Sequence, residues 1–276
     1  MELFVMLTKE TLQGVFVPIV TPFDSHGNLD THSFKKHVKR LVEKGVQGIV
    51  VNEMIGESKA IATSELEILI TAARKILNDL PLIIGTGLSN TSDTIKKTTW
   101  FKSLGADAAL VAAPFNNRSS QKGIIQHYQA LVEAELPIIL NDNPSLTGSS
   151  LGMETIKVIM DMNHVIGMKE DTGNIKRYFK LARSLTKPVL CGEDELFFSS
   201  LCTGVKGGIL ASANLDSEQF VQAYKMFRAG KIVEAGQIFD RLLPLIQFLL
   251  SEPNPAPLKW LLAERGHIRS DHLRAI

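Results

Sequence analysis

Val165–Asn174 reads VIGMKEDTGN, and its apolar opening ends on Lys169. Lysine is seldom buried without a task or a partner. An ammonium moved toward low dielectric loses part of its charge stabilisation, which favours the neutral amine. A neutral lysine amine adds to a carbonyl carbon and forms a Schiff base. Lys169 is therefore the candidate nucleophile. The alternative is a head group that reaches water at the strand end, or pairs with a neighbour such as Glu170.

A metal centre is the competing chemistry. Glu53, Glu57, Asp142, Glu170, Asp171, Glu193 and Asp194 all fall in loops that follow apolar runs. The seven histidines (His26, His32, His37, His127, His164, His267 and His272) show no HxH or HExxH spacing. Most of these carboxylates are expected to cap the helices that follow them. No metal is expected. A phosphate site is weak as well, since no long Gly-rich loop precedes a helix.

The elements that must position Lys169 alternate along the chain. Strand-like apolar runs lie at Gly14–Val20, Gly48–Val51, Leu82–Gly87, Ala106–Ala113, Pro137–Leu140, Val165–Lys169, Pro188–Gly192 and Gly207–Ser212. Between them, helical spacing is read at Thr31–Lys44, Ser64–Leu77 (with Ser64 as cap), Thr91–Leu104, Gln121–Glu135, Met153–Met160, Ile175–Leu185 and Glu195–Cys202. The runs are continuously apolar, as in a parallel sheet covered on both faces. Eight such units predict a (β/α)8 TIM barrel, with a doubly wound open sheet as the alternative. Residues 1–216 then form the barrel core through the eighth strand. Residues 217–276 supply its last helix and C-terminal helices packed on the barrel as one structural unit, read at Ser217–Arg228, Lys231–Leu250 and Pro257–Ile268. In such a barrel the loops after the strands carry the active site, which puts Lys169 at the working end.

Bulk properties narrow the class. The 276 residues are 45% hydrophobic and 21% charged, with a net charge of +1. That balance predicts neither nucleic-acid nor membrane partners. Cys191 and Cys202 cannot form a disulfide framework and read as two buried thiols in a reducing cytoplasm. The start, MELFVMLTKE, lacks the pattern of a signal peptide.

Seven motifs then fall in order: GVFVPIVTPF (Gly14–Phe23), GES (Gly56–Ser58), GTG (Gly85–Gly87), NNRSSQ (Asn116–Gln121), NPSLTG (Asn143–Gly148), MKEDTGN (Met168–Asn174) and NPAPLKW (Asn254–Trp260). Together they resemble the dihydrodipicolinate synthase / N-acetylneuraminate lyase family across Gly14–Ile268. The resemblance implies a (β/α)8 barrel with a C-terminal helical segment, no cofactor, and a homo-oligomer, dimer or tetramer. It implies a lysine imine with pyruvate or a related 2-oxo acid, and Lys169 matches that lysine. By the same resemblance Thr21 orients a loop, Gly192 and Ile209 shape the pyruvate pocket, and Asn116 is offered to a neighbouring subunit.

Other positions depart from the family pattern. Met54 and Ile55 replace two threonines, Asn116 and Asn141 stand where tyrosines are usual, and Leu146 replaces the arginine that clamps a substrate carboxylate. Arg118 is expected to make a structural ion pair, since the family often has a basic residue there, with a substitute clamp as the alternative. At the lysine-feedback positions Asn90 fits, whereas Lys59 and Thr63 do not. The chain's tyrosines, Tyr128, Tyr178 and Tyr224, all read as helical residues on the barrel exterior. The expectation is a dihydrodipicolinate synthase-like lyase, with a different aldehyde acceptor or a non-catalytic metabolite-binding barrel as alternatives.

Overall fold

The computed structural model describes residues 7–115, 119–148 and 150–274. Its strands are β1 (Gly14–Pro18), β2 (Gly48–Val51), β3 (Leu82–Thr86), β4 (Ala108–Ala112), β5 (Ile138–Asp142), β6 (Val165–Glu170), β7 (Val189–Cys191) and β8 (Gly207–Ile209). They close a parallel barrel in chain order, so the (β/α)8 expectation holds and the open sheet is excluded. Nearly every strand residue is buried, which explains why the runs are apolar on both faces.

The helices are α1 (Thr31–Glu43), α2 (Thr63–Leu77), α3 (Thr91–Ser103), α4 (Gln121–Ala130), α5 (Pro144–Thr147), α6 (Met153–Met160), α7 (Ile175–Ser184), α8 (Phe197–Thr203), α9 (Ala213–Arg228), α10 (Ile232–Leu249) and α11 (Ala256–Glu264). Local chemistry sets several of their ends. Asp30 accepts the Ser33 amide at the start of α1, and Gly45 follows its end with φ +81°. Asn174 accepts the amides of Lys176 and Arg177 at the start of α7. Ser64 is not a cap: α2 starts one residue earlier, and Glu65 closes its first turn by accepting the Ala62 amide at 3.0 Å. The last strand ends at Ile209 rather than Ser212, and α9 begins at Ala213. Asp216 breaks that helix with φ −122°, so the regular helical spacing begins at Ser217.

Two compact units divide the chain. One holds Ile83–Ile209 with the segment ending at Gln13. In it β5 and β6 pair with Asn141 opposite Lys169 and Asp142 opposite Glu170. The other holds Gly14–Leu82 and Leu210–Ile276. There Val20, Ile55, Leu215, Leu249, Leu258, Leu262 and Ile268 form one apolar cluster, so α9, α10 and α11 share a core with the loops after β1 and β2. Among the described residues no helix is long and apolar enough to cross a membrane.

Candidate active site

Side chains alternate across a strand, so residues two apart share a face. Lys169 and Asp171 therefore face one way, as do Asn141 and Asn143 on the neighbouring strand. Asp142 and Glu170 face the other way. The structure follows this division. Lys169 is 5% exposed, and its Nζ lies 2.9 Å from Asp171 Oδ2. Asn143 Nδ2 donates to the same carboxylate oxygen at 2.7 Å. On the opposite face Arg177 of α7 binds both Glu170, at 3.0 Å, and Asp142. Arg177 also donates to Leu151 O at 2.8 Å.

Lys169 thus has a carboxylate partner, but the partner is Asp171 rather than Glu170. Period two explains the difference, because the adjacent residue points away from the lysine and toward α7. Burial raises the Glu170 and Asp142 carboxyls, and the Arg177 guanidinium opposes that rise. The expected capping role also fails for Glu57, which is buried against Lys259 at 2.8 Å. A buried carboxylate needs a cation more than it needs a helix end. Glu53 does act as a cap, accepting the Ile55 amide at 3.4 Å.

Gly192 follows β7, and its lack of a side chain is required by close approach. A Cβ there would lie 2.5 Å from Asp171 Oδ1 and 2.7 Å from Lys169 Cε. Asn141 is 4% exposed, and its Oδ1 is buried without a hydrogen-bond partner. One unit thus brings Lys169, Asp171, Asn141, Asn143 and Gly192 to the C-terminal ends of β5, β6 and β7. Ile209 is buried in β8, 1% exposed. Leu146 lies on α5, where its amide donates to Asn143 Oδ1 at 3.0 Å. Burial raises the Glu193 carboxyl, and the neighbouring Asp171 charge adds to the rise.

The tyrosines are fixed as structural groups. Tyr128 donates to Val111 O at 2.6 Å, and Tyr178 donates to Glu170 O at 2.7 Å. Both lie on helices outside the barrel as expected, and both are fully buried. Burial pushes the Cys191 thiol up to about 12, and its Sγ lies 3.3 Å from the Tyr178 hydroxyl. Cys202 is exposed, contrary to the expectation of two buried thiols, because its neighbour Leu201 takes the inward face of α8.

In the other unit, Thr21 is buried and donates to Gly56 O at 2.7 Å, which ties the loop after β1 to the loop after β2. Met54 opens a short 3-10 turn and is half exposed, whereas Ile55 is buried in the apolar cluster. Lys59 and Thr63 flank the start of α2, and Asn90 caps α3. Asn116 and Arg118 lie outside the described residues. The sequence reading missed Asp171 as the partner of Lys169 and Asn143 as the partner of Asp171. The signal was available in the K-x-D and N-x-N spacings, which place each pair on one strand face.

Residues 11–275 match the dihydrodipicolinate synthetase family. A 4-hydroxy-tetrahydrodipicolinate synthase of Herminiimonas arsenicoxydans is 36% identical over 263 residues, covering 94% of this chain and 90% of the relative. Among solved structures, a dihydrodipicolinate synthase from Thermotoga maritima superposes with a TM-score of 0.91 at 32% identity, over 96% of this chain and 92% of that one. A chloride-inhibited dihydrodipicolinate synthase from Acinetobacter baumannii, complexed with pyruvate, gives 0.92 at 32% identity over 96% and 92%. With a closed barrel, a lysine held at the C-terminal end of β6 and these likenesses over nearly its full length, the chain belongs to the dihydrodipicolinate synthetase family of Schiff-base lyases.

Proposed function

We propose that the Lys169 amine adds to C2 of pyruvate or a related 2-oxo acid and that the resulting imine drives carbon–carbon bond chemistry. The observation that carries this reading is the seat of Lys169. It is buried at the end of β6, 2.9 Å from a carboxylate able to accept its proton, beside a glycine that leaves room for it. Once the carbonyl oxygen has left as water, the iminium is an electron sink. Loss of a C3 proton gives an enamine, which adds to an aldehyde; the reverse sequence is retro-aldol cleavage.

The relatives' names support 4-hydroxy-tetrahydrodipicolinate synthase activity, and the family resemblance implies that this joins pyruvate to aspartate semialdehyde in lysine biosynthesis. The loop residues favour a different aldehyde. Leu146 cannot clamp a carboxylate by a bidentate pair. Met54 brings no hydroxyl, and Asn141 bonds hydrogen but cannot shuttle a proton as a phenol does. The buried, unpartnered Asn141 Oδ1 suits a hydrogen-bond donor on the bound substrate. In this reading Gly192 and Ile209 shape the pyruvate pocket, and the protein works as a homo-oligomer, dimer or tetramer. The setting is cytoplasmic.

Borohydride trapping tests the reading. With a panel of 2-oxo acids, a mass increment is expected on the peptide that carries Lys169. No adduct with any member of the panel would sink it and leave a metabolite-binding barrel. Among aldehyde acceptors, aspartate semialdehyde is expected to be a poorer partner than at least one other.

A further inference from the structure

Imine chemistry at a lysine needs a group that removes and returns protons at the reacting nitrogen. Two of the three phenols do not serve: Tyr128 and Tyr178 spend their hydroxyl protons on strand carbonyls. Glu170 and Asp142 face away and hold Arg177. Asp171 is in direct contact with the amine, with Oδ2 2.9 Å from Lys169 Nζ.

Its position is set from three sides. The Asp171 amide donates to Asp142 O at 3.0 Å. Asn143 donates to Asp171 Oδ2 at 2.7 Å, while its own Oδ1 accepts the Leu146 amide at 3.0 Å. That second bond fixes which end of the Asn143 amide meets the carboxylate. Gly192 keeps the space beside both side chains open.

We infer that Asp171 is the catalytic acid–base partner of Lys169, and that Asn143 is the residue that positions it. The inference rests on the Lys169 reading above. In the resting pair the lysine is an ammonium and Asp171 a carboxylate. Asp171 takes one proton, and the freed amine attacks C2; the N–C bond forms and the carbonyl π pair moves to oxygen. Asp171 gives its proton to that oxygen and removes a second from nitrogen, which leaves a neutral carbinolamine. It then protonates the hydroxyl, the C–O bond breaks, and water leaves as the nitrogen lone pair forms C=N. The sum is ammonium plus ketone giving iminium plus water, with Asp171 again a carboxylate, now paired to the iminium. Among the described titratable groups, Glu193, Asp142 and Tyr178 feel the Asp171 charge, and Glu193 feels that of Lys169 as well.

Rapid mixing of the intact protein with pyruvate, quenched with borohydride between about pH 5 and 9, measures the rate of imine formation. Asp171→Asn is expected to slow it by about 10²–10⁴-fold and to remove the acid limb of the profile, with added formate restoring part of the rate. Asn143→Ala keeps the carboxylate but removes a donor to its charged form, so the acid limb moves to higher pH. A packing role alone would not move that limb. Wild-type rates in Asp171→Asn overturn the proposal, and so does a loss that appears in Glu193→Gln instead. If Asp171→Asn does not fold, an unmoved limb in Asn143→Ala overturns it. Failure of the wild-type protein to form any adduct, with a panel of 2-oxo acids included, marks failure of the Lys169 reading itself.

Discussion

Lys169 and Lys259 are both buried, and they are held in opposite ways. Lys259 is 0% exposed. Its Nζ donates to Glu57 Oε1 at 2.8 Å and to His272 O at 2.5 Å, and it lies 4.4 Å from the Phe23 ring centroid. Arg274 stacks on the same ring and gives its amide to the other Glu57 oxygen at 2.8 Å. Burial lowers the Lys259 pKa while Glu57 opposes the shift, yet every direction around the ammonium is committed to structure. At Lys169 the carboxylate partner keeps 12% side-chain exposure, against 1% for Glu57. It also accepts from the side-chain amide of Asn143. Burial therefore does not separate a nucleophile from a strut. What separates them is whether the counter-ion can take the proton without leaving the fold short of a partner.

Replacing each lysine with methionine probes that distinction most sharply. Lys169→Met is expected to abolish the borohydride-trapped adduct and to cost only about 1–2 kcal/mol of stability, because Asp171 keeps Asn143 and some solvent. Lys259→Met is expected to cost about 3–5 kcal/mol, since Glu57 is left charged and buried. Its folded fraction still traps pyruvate at Lys169. Urea denaturation alongside mass spectrometry of the quenched protein reads both. The contrast fails if Lys259→Met loses the adduct while its stability is untouched.

This contrast also marks where sequence reading succeeds and where it stops. Continuous apolar runs separated by helical spacing are a local property, so the barrel and the placement of Lys169 could be read directly. Period two could have paired Lys169 with Asp171, since that too is local. The Glu57–Lys259 pair could not be found this way: 202 positions separate the partners, and no periodicity links a loop after β2 to α11. The motifs GES and NPAPLKW suggested family membership, but their joint purpose, one buried ion pair, appears only in the fold. The packing of Ile55 was hidden for a similar reason. Its place in a mouth loop suggested substrate contact, while its side chain joins an apolar cluster built mostly from C-terminal helices.

Gly192→Ala sharpens the comparison from the other direction, because it changes neither charge. The added Cβ would press on Lys169 Cε and Asp171 Oδ1. A displacement on the order of 1 Å at a reacting group costs about 10²-fold in rate. Adduct formation is therefore expected to slow by about that factor, with far less effect on the urea midpoint than Lys259→Met.

A pH difference should follow in the unit that holds Lys259. His37 is buried, with Nε2 3.0 Å from Asn214 Oδ1, and burial beside Arg40 lowers its pKa from 6.5 to about 3. Below 6.5 the unfolded chain binds a proton that the folded chain does not, so stability falls as pH drops from 6.5 toward about 3 and the contribution is flat outside that window. The slope from this one group approaches 1.4 kcal/mol per pH unit, to order of magnitude. Urea midpoints measured across the window should fall less steeply in His37→Gln than in wild type.

The smallest expected effect decides what the phenols do. Tyr178 is the tyrosine whose hydroxyl bonds the backbone of β6, at Glu170 O. Gly192 N also reaches that carbonyl, at 2.8 Å, so removing the phenol oxygen does not strand the acceptor. Tyr178→Phe is then expected to cost about 1 kcal/mol and to leave the trapping rate within twofold of wild type. A fall of about 10²-fold, the size expected for a lost general acid or base, would mean that the phenol moves protons after all. Asp171 would then share that role, and the division drawn between a committed polar network and a reactive one would have to be placed one shell further from Lys169.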